Sequence, residues 1–258
     1  LRTYLCGVEL LSKSKQATFR RLADKKFRLE SGLCVAEGFK CILDCMAFGW
    51  KPDWLGVDAQ QVAHLDQIPK GDFPVYLLPE SGLSFLENPT GLVGVFRIPD
   101  PRTLPQKGPI VVLDGIQDPG NMGTILRSCH WFGIEDVVLL KGTVDPYGPK
   151  VVQASMGSIA AVNLHRLRVN ELRDWIMALG LKLLLAEING KPMTKIPYIP
   201  SDKLGWVIGN EGNGIGPEVA EMGTSVRIPS FSVGPAPESL NAATALSVML
   251  GHHFLTKG

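Results

Sequence analysis

The sequence has no apolar run near the roughly 20 residues that a membrane-spanning helix needs, although 45% of its 258 residues are hydrophobic. That fraction supports a real core and excludes a disordered chain. The opening stretch LRTYLCGVEL lacks the basic region, long apolar core and small-residue cleavage site of a signal peptide, so a soluble, cytoplasmic protein is expected. Cysteine is scarce: Cys6, Cys34, Cys41, Cys45 and Cys129 are odd in number and include no CxxC pair. Cys41 and Cys45 stand one helical turn apart. Buried reduced thiols are expected rather than disulfides or a metal site. No His/Cys ligand cluster is present, and no metal is expected. There is no fixed-period repeat and no low-complexity tract. Also missing are GxGxxG with an acidic residue at the next strand end, and GxxxxGK[ST]. A dinucleotide-binding oxidoreductase and a P-loop protein both lose ground.

A net charge of +1 says little. Its distribution says more. Seven basic residues (Lys13, Lys15, Arg20, Arg21, Lys25, Lys26, Arg28) face one acid, Asp24, within residues 13–28. Such an excess binds a polyanion or forms a solvated helix face, and alone it favours the second.

Residues 12–30 read as one basic helix with Phe19, Leu22 and Phe27 inward. Short strands are expected at 33–36, 54–57, 75–78 and 91–97, with helices at 37–48 and a helical turn at 81–87. These make a small α/β domain over residues 1–98. Four prolines within residues 99–109 exclude regular structure, so residues 99–108 read as a linker. Residues 109–258 then alternate strands (110–115, 136–140, 162–167, 181–187, 205–209, 225–229) with helices (122–132, 149–159, 170–179, 217–222, 239–255). The alternation predicts a mostly parallel sheet with helices on both faces.

Three loops of this second unit share a design: a strand, then a polar turn of small residues, then a helix. The first is LDGIQDPGNMGTILR, residues 113–127. Its strand end carries polar groups at the carboxyl edge of a sheet, where open α/β sheets bind ligands. Asn121 suits a helix N-cap, or a hold on a substrate oxygen. Arg127 follows one and a half turns later, with structural and functional roles evenly weighed. The second loop, GNEGNGIG at 209–216, has four glycines in eight residues and one charge, Glu211. Glycines permit close backbone approach to a ligand. The third runs from Ile228-Pro229 to Ser239-Leu240-Asn241. Ser239 suits an N-cap, whereas Asn241 is less easily explained by capping.

Together, DPGNMGTILRSCHWFGIEDVVL, VIGNEGNGIGPEV and VRIP…ESLNAATA resemble the three ordered motifs of the SpoU/TrmH-type RNA 2′-O-ribose methyltransferases of the SPOUT superfamily. KVVQASMG at 150–157 resembles the family's segment after the second strand. LSKSKQATFRRLADKKFRLESGLCVAEGFKCILD resembles the L30e-like substrate-binding domain that many members carry. The resemblance covers nearly the whole chain beyond about its first ten residues.

The resemblance implies an α/β SPOUT domain with a parallel sheet and a trefoil knot, although nothing in the periodicity shows a knot. It implies S-adenosylmethionine as cofactor, held at Gly209, Gly212, Ile228, Pro229 and Leu240, with Ala186 and Glu187 on the adenosine side. It implies Asn121, Arg127, Glu211, Ser239 and Asn241 as the catalytic set. Because a ribose hydroxyl is a weak nucleophile, Arg127 is expected on the phosphate beside it, polarising the hydroxyl or serving as base through that phosphate. It implies a homodimer with the site near the subunit interface. The segment between Pro229 and Glu238 is longer than the family's usual one, which reshapes the loop expected to meet the cofactor.

With the family in view, the basic stretch reads as RNA-contacting: Lys13, Lys15, Arg20, Arg21, Lys25, Lys26 and Arg28. The expected substrate is a structured RNA, ribosomal before transfer RNA. The alternatives are a tRNA ribose methyltransferase and a non-catalytic RNA-binding factor of ribosome assembly.

Overall fold

A computed structural model describes residues 8–86, 89–234 and 237–256. Cys6 and Glu87 lie outside them. In chain order the elements are β1 (Glu9–Leu10), α1 (Lys13–Arg21), α2 (Lys25–Ser31), β2 (Leu33–Glu37), α3 (Phe39–Ala47), β3 (Pro52–Val57), β4 (Val75–Leu77), β5 (Leu92–Arg97), β6 (Ile110–Asp114) and α4 (Pro119–Trp131). They continue with β7 (Asp136–Leu139), α5 (Pro149–Ser155), β8 (Asn163–Arg166), α6 (Val169–Leu179), β9 (Lys182–Pro192), β10 (Leu204–Gly209), α7 (Pro217–Ala220), β11 (Gly223–Arg227) and α8 (Ala242–Leu255).

The chain forms two compact units. One comprises Leu1–Asp100 with Asp145–Ala161, the other Pro101–Val144 with Val162–Gly258. The division at Asp100 falls inside the proline-rich stretch. Residues 145–161, expected in the second domain, pack instead with the first unit. Their apolar side chains Val151, Val152 and Ile159 are buried. Cys41 Sγ of α3 meets the Val152 carbonyl at 3.8 Å.

The first unit has a five-stranded mixed sheet in the order β1-β4-β3-β5-β2. Phe19 of α1 is buried with Trp54 and Leu78 and stacks on Phe85 with ring centroids 4.7 Å apart. The single helix expected over 12–30 is two. Asp24 caps α2, its carboxylate accepting the Phe27 N–H at 2.9 Å. Arg28 folds back and donates from Nη1 to the carbonyls of Leu22 and Ala23, at 2.6 and 2.9 Å. These satisfy carbonyls that the end of α1 leaves orphaned. The other edge of the guanidinium grips Asp145 Oδ2, from Nε at 3.0 Å and Nη2 at 2.6 Å. The helical turn expected at 81–87 is absent over the described part. Glu37 accepts the Phe85 N–H at 2.7 Å and the Ser84 hydroxyl, which holds that segment out of helix. Burial pushes the Glu37 carboxyl above its ordinary range. Helix α5 stops at Ser155, short of the expected 159, because Met156 turns left-handed with φ 49°.

The second unit is the expected parallel sheet, six strands in the order β11-β9-β10-β6-β7-β8, every pairing parallel. The central strands carry continuous β-branched and apolar runs because both faces are covered. Ile110, Val112, Val138, Leu183, Leu185 and Val207 are buried with Leu172 and Ile176 of α6. Helix α8 packs against α4, where the hydroxyls of Ser128 and Ser247 meet at 2.7 Å and Phe132 stacks on Phe254.

Strand β9 runs on to Pro192, beyond the expected 187. Leu185 pairs with Ser225, but the next pair is Lys191 with Val226. Residues 186–190 are therefore looped out of register. Gly190 closes the bulge: a Cβ there would stand 2.5 Å from the Val226 nitrogen, so no larger residue fits.

The remaining thiols are sealed in. Cys34, Cys41, Cys45 and Cys129 are buried and unpaired, and burial drives Cys34 and Cys129 far above the ordinary thiol range. No described helix is long and apolar enough to cross a membrane. The described residues include no metal-binding group of three or more His, Cys, Asp or Glu.

Candidate active site

The carboxyl edge of the second sheet carries all three loops. Asp118, not Asn121, caps α4: its side chain accepts the Asn121 N–H at 2.7 Å, and Pro119 occupies the first helical position. Proline there loses no hydrogen bond that the helix could have made. Asn121 is consequently the third residue of the helix, with its amide released for other work. Likewise Asn241, not Ser239, caps α8. Its Oδ1 accepts the N–H groups of Ala243 and Thr244 at 3.0 and 3.2 Å.

Those caps set the direction of a hydrogen-bond relay. Backbone N–H groups only donate, so the Asn241 oxygen must face them and its Nδ2 must face away. Nδ2 donates to Asn121 Oδ1 at 2.7 Å. Asn121 Nδ2 then donates to Glu211 Oε1 at 2.8 Å. Residues from motif three, motif one and motif two are thus joined in one line. Asn121 is half-buried, and Asn241 and Glu211 are exposed at its ends. Glu211 Oε2 has no hydrogen-bond partner among the described residues and remains open to an incoming hydroxyl.

Arg127 does not join that line. It lies six residues beyond Asn121, about 9 Å along the axis of α4 and roughly 120° around it. It is exposed, and among the described residues it makes no hydrogen bond or ion pair.

Beside the relay lies a cavity of about 400 Å³ whose lining includes Ala186, Glu187, Ile228, Pro229, Ser239 and Leu240. Ala186, Glu187 and Ile188 of the bulge form one wall, and residues from 228–232 and 237–240 another. Ser225 donates its hydroxyl to Glu187 Oε2, which fixes that carboxylate. Ile188, Arg227 and Met249 also line the cavity. The sequence reading did not single these out, and the register shift that brings Ile188 there has no local sequence signal apart from Gly190. Gly209 and Gly212 are not among the lining residues. Gly209 has another constraint: a Cβ would stand 2.4 Å from the Gly214 carbonyl carbon, so only glycine lets the Asn210–Gly214 turn close. Asp114 at the end of β6 ties the far side of that loop, accepting the Gly216 N–H at 2.7 Å.

In the first unit, the residues expected to meet RNA separate into groups. Lys13, Arg20 and Lys25 are exposed. Lys15 lies over the rings of Tyr76 and Trp54 at 5.2 and 6.0 Å, Arg21 over Phe27 at 3.9 Å, and Lys26 pairs with Glu30 at 3.9 Å. Arg28 is buried in its pair with Asp145, so its expected place on a contact face is corrected.

A parallel α/β sheet whose edge loops carry a cavity and an amide–carboxylate relay has its candidate site where open-sheet α/β enzymes bind their ligands. The SpoU rRNA methylase family matches residues 108–251, more than half of the chain, and the chain belongs to that family. It is 27% identical over 250 residues to the 23S rRNA (guanosine(2553)-2′-O)-methyltransferase RlmP of Bacillus subtilis, covering 95% of this chain and 98% of that one. The fold superposes on the AdoMet-bound rRNA methyltransferase of Sinorhizobium meliloti with a TM-score of 0.82 and 29% identity, covering 97% and 98% of the two chains. It also superposes on a TrmH-family protein from Porphyromonas gingivalis with a TM-score of 0.83 and 33% identity, over 94% and 97%.

Proposed function

We propose that this S-adenosylmethionine-dependent RNA 2′-O-ribose methyltransferase acts on ribosomal RNA in the cytoplasm and holds the target ribose at the Asn241–Asn121–Glu211 relay. The observation that carries the assignment of roles is the relay itself, which ends in a carboxylate oxygen with an open acceptor position.

The cavity beside it fits the cofactor. Ala186, Ile188, Ile228, Leu240 and Met249 supply apolar walls for a base, and Glu187, fixed by Ser225, supplies an acceptor for ribose hydroxyls. Bound there, S-adenosylmethionine supplies a methyl group already activated by the sulfonium charge. The protein's task is then to hold a weak nucleophile in line and to take up its proton. Glu211 Oε2 accepts the hydrogen bond of the 2′-hydroxyl. Asn121, with its amide direction imposed by the α8 cap, keeps the carboxylate from rotating. Arg127 binds the phosphate beside that ribose and polarises the hydroxyl. A guanidinium stays protonated, so its role is electrostatic. Ser239 supports the loop between relay and cavity.

Because Arg127 lies roughly 120° around α4 from Asn121 and makes no bond to the relay of its own chain among the described residues, we assign it to the site of a second copy in a homodimer. Apolar side chains left in solvent on α4 and α8 support that reading: Trp131 is 85% exposed and Leu255 79%. Trp131 stands one turn beyond Arg127 on the same face. The knot and the L30e-like character of the first unit are proposed on the resemblance alone.

Titration calorimetry tests the cofactor assignment. S-adenosylmethionine is expected to bind and NAD is not; absence of heat with the former refutes the reading. RNA contact by the first unit has its own measurement. Reversing Lys13, Arg20 and Lys25 to Glu is expected to weaken binding of bacterial 23S rRNA at least tenfold and to flatten its salt dependence. The melting temperature should hold, because all three side chains are exposed. Unchanged affinity and salt slope would return that face to a solvated surface.

A further inference from the structure

The relay explains how Glu211 is aimed but not how its loop keeps its place. Glu211 sits at the tip of a turn between glycines 209 and 212 and is exposed, with one hydrogen bond to hold it. The residue before it is more fully engaged. Asn210 Oδ1 accepts the N–H groups of Gly212 and Asn213, both at 2.9 Å, which shapes the turn. Its backbone N–H and carbonyl pair with Gly214 in both directions, each at 2.9 Å. Its Nδ2 leaves the loop altogether and donates to the carbonyl of Gly115 at 2.8 Å. The two accepted N–H groups force the oxygen inward, so the donor end must point at Gly115.

Gly115 opens the segment that leads to Asn121. Its φ is +75°, a left-handed conformation that suits glycine. Its N–H is taken by Thr143 Oγ1 at 3.2 Å, and that hydroxyl donates to the Leu113 carbonyl at 3.0 Å. The motif-one turn is therefore anchored on one side by Thr143 and on the other by Asn210.

We propose that Asn210 is a positioning residue of methyl transfer: its amide fastens the loop carrying Glu211 to the loop carrying Asn121, so that the relay between them keeps its length. The inference rests on the methyltransferase reading of this site. Asn210 is not among the residues lining the cofactor cavity. Its loss should therefore lower turnover and leave cofactor affinity alone, a separation that general unfolding would not produce.

The discriminating variant is Asn210→Asp. The carboxylate still accepts from Gly212 and Asn213, so the turn survives, but when ionised it cannot donate to the Gly115 carbonyl. Transfer of a tritiated methyl group from S-adenosylmethionine to bacterial 23S rRNA is the assay. At pH 8 the variant is expected to lose about a hundredfold in kcat, the order of loss from a small misplacement of reacting groups. Its calorimetric affinity for S-adenosylmethionine should stay within twofold of wild type. As pH falls the new carboxyl protonates and regains a donor, so the ratio of variant to wild-type rate should rise. Glu211, the next residue, and Asp114, which ties the same loop, are kept in Asn210→Ala, so that variant is the baseline for the rise. Asn210→Ala, which loses the turn acceptor as well as the donor, should show at least as large a loss in kcat with no recovery on acidification, which keeps the test usable if the Asp variant folds poorly. Wild-type kcat in both variants, or equal losses in kcat and cofactor affinity, would overturn the proposal. If the wild-type protein binds no S-adenosylmethionine or transfers no methyl group, the underlying reading fails and the proposal falls with it.

Discussion

Arg127→Ala should lower kcat for RNA methylation by roughly 10²–10³-fold, the scale on which removal of one pre-aimed charged donor is felt, with binding of S-adenosylmethionine unchanged in calorimetry. The geometry separates the two readouts. Arg127 is on the exposed face of α4 and is not among the residues lining the cavity. The guanidinium has no partner among the described residues, so its removal leaves no buried group unsatisfied and the fold should not suffer. Arg127→Lys should recover little. An ammonium keeps the charge but loses the planar fork that grips a phosphate bidentately. Near-normal turnover in the Ala variant would remove Arg127 from the site. The same experiment, run on mixtures, reads the dimer. If Arg127 serves its partner's relay, Arg127→Ala chains mixed with Glu211→Gln chains recover activity, because half the sites of each mixed dimer are intact. If Arg127 served its own relay, mixing two inactive proteins would recover none.

The second large effect is on stability. Arg28→Ala should destabilise the first unit by about 3–5 kcal/mol, the usual consequence of breaking one side of a buried ion pair. Asp145, only 6% exposed, would lose its guanidinium partner, and the carbonyls of Leu22 and Ala23 would lose their donor. Thermal unfolding followed by circular dichroism measures this. Replacing both members with apolar residues of similar volume, Arg28→Met with Asp145→Leu, should return most of the loss, because the cost lies in the orphaned charge. A fall in RNA affinity without a fall in stability for Arg28→Ala would instead place Arg28 at a contact surface. The contrast with Lys13, Arg20 and Lys25 is the useful one. A single run of basic residues contains side chains whose loss should be felt in quite different measurements.

That run also shows where the sequence stops being readable. Helical periodicity over residues 12–30 is real, and both α1 and α2 lie in it. What divides them is Asp24 as a local cap and Arg28 as a long-range partner of Asp145, 117 residues away. The cap is visible in the sequence; the partner is not. The parallel sheet was legible because strands and helices alternate through residues 109–258, and its first strand is an apolar run of the kind a doubly covered strand tolerates. The relay residues Asn121, Glu211 and Asn241 stood out as types at motif spacing, but the capping roles beside them were partly exchanged. Asn121 and Ser239 looked like caps, and the caps are Asp118 and Asn241. Both assignments turn on two or three positions at a helix start, where Asp, Asn and Ser are chemically near-equivalent. The bulge at 186–190 was out of reach. It arises from which residue of β11 faces which residue of β9, and pairing register is not written in either strand alone.

The passage of residues 145–161 into the first unit carries a consequence for how the protein can be divided. The second compact unit is not a contiguous cassette, although the family match runs straight through residues 145–161. A fragment cut at Pro101 would inherit α5 without the surface that α5 covers, and Val151, Val152 and Ile159 would be stripped to water together. Inheritance, fusion or shuffling of the two halves by a single crossover therefore breaks one of them. A working exchange must move Asp145–Ala161 with the first unit, as an insertion carried inside the second.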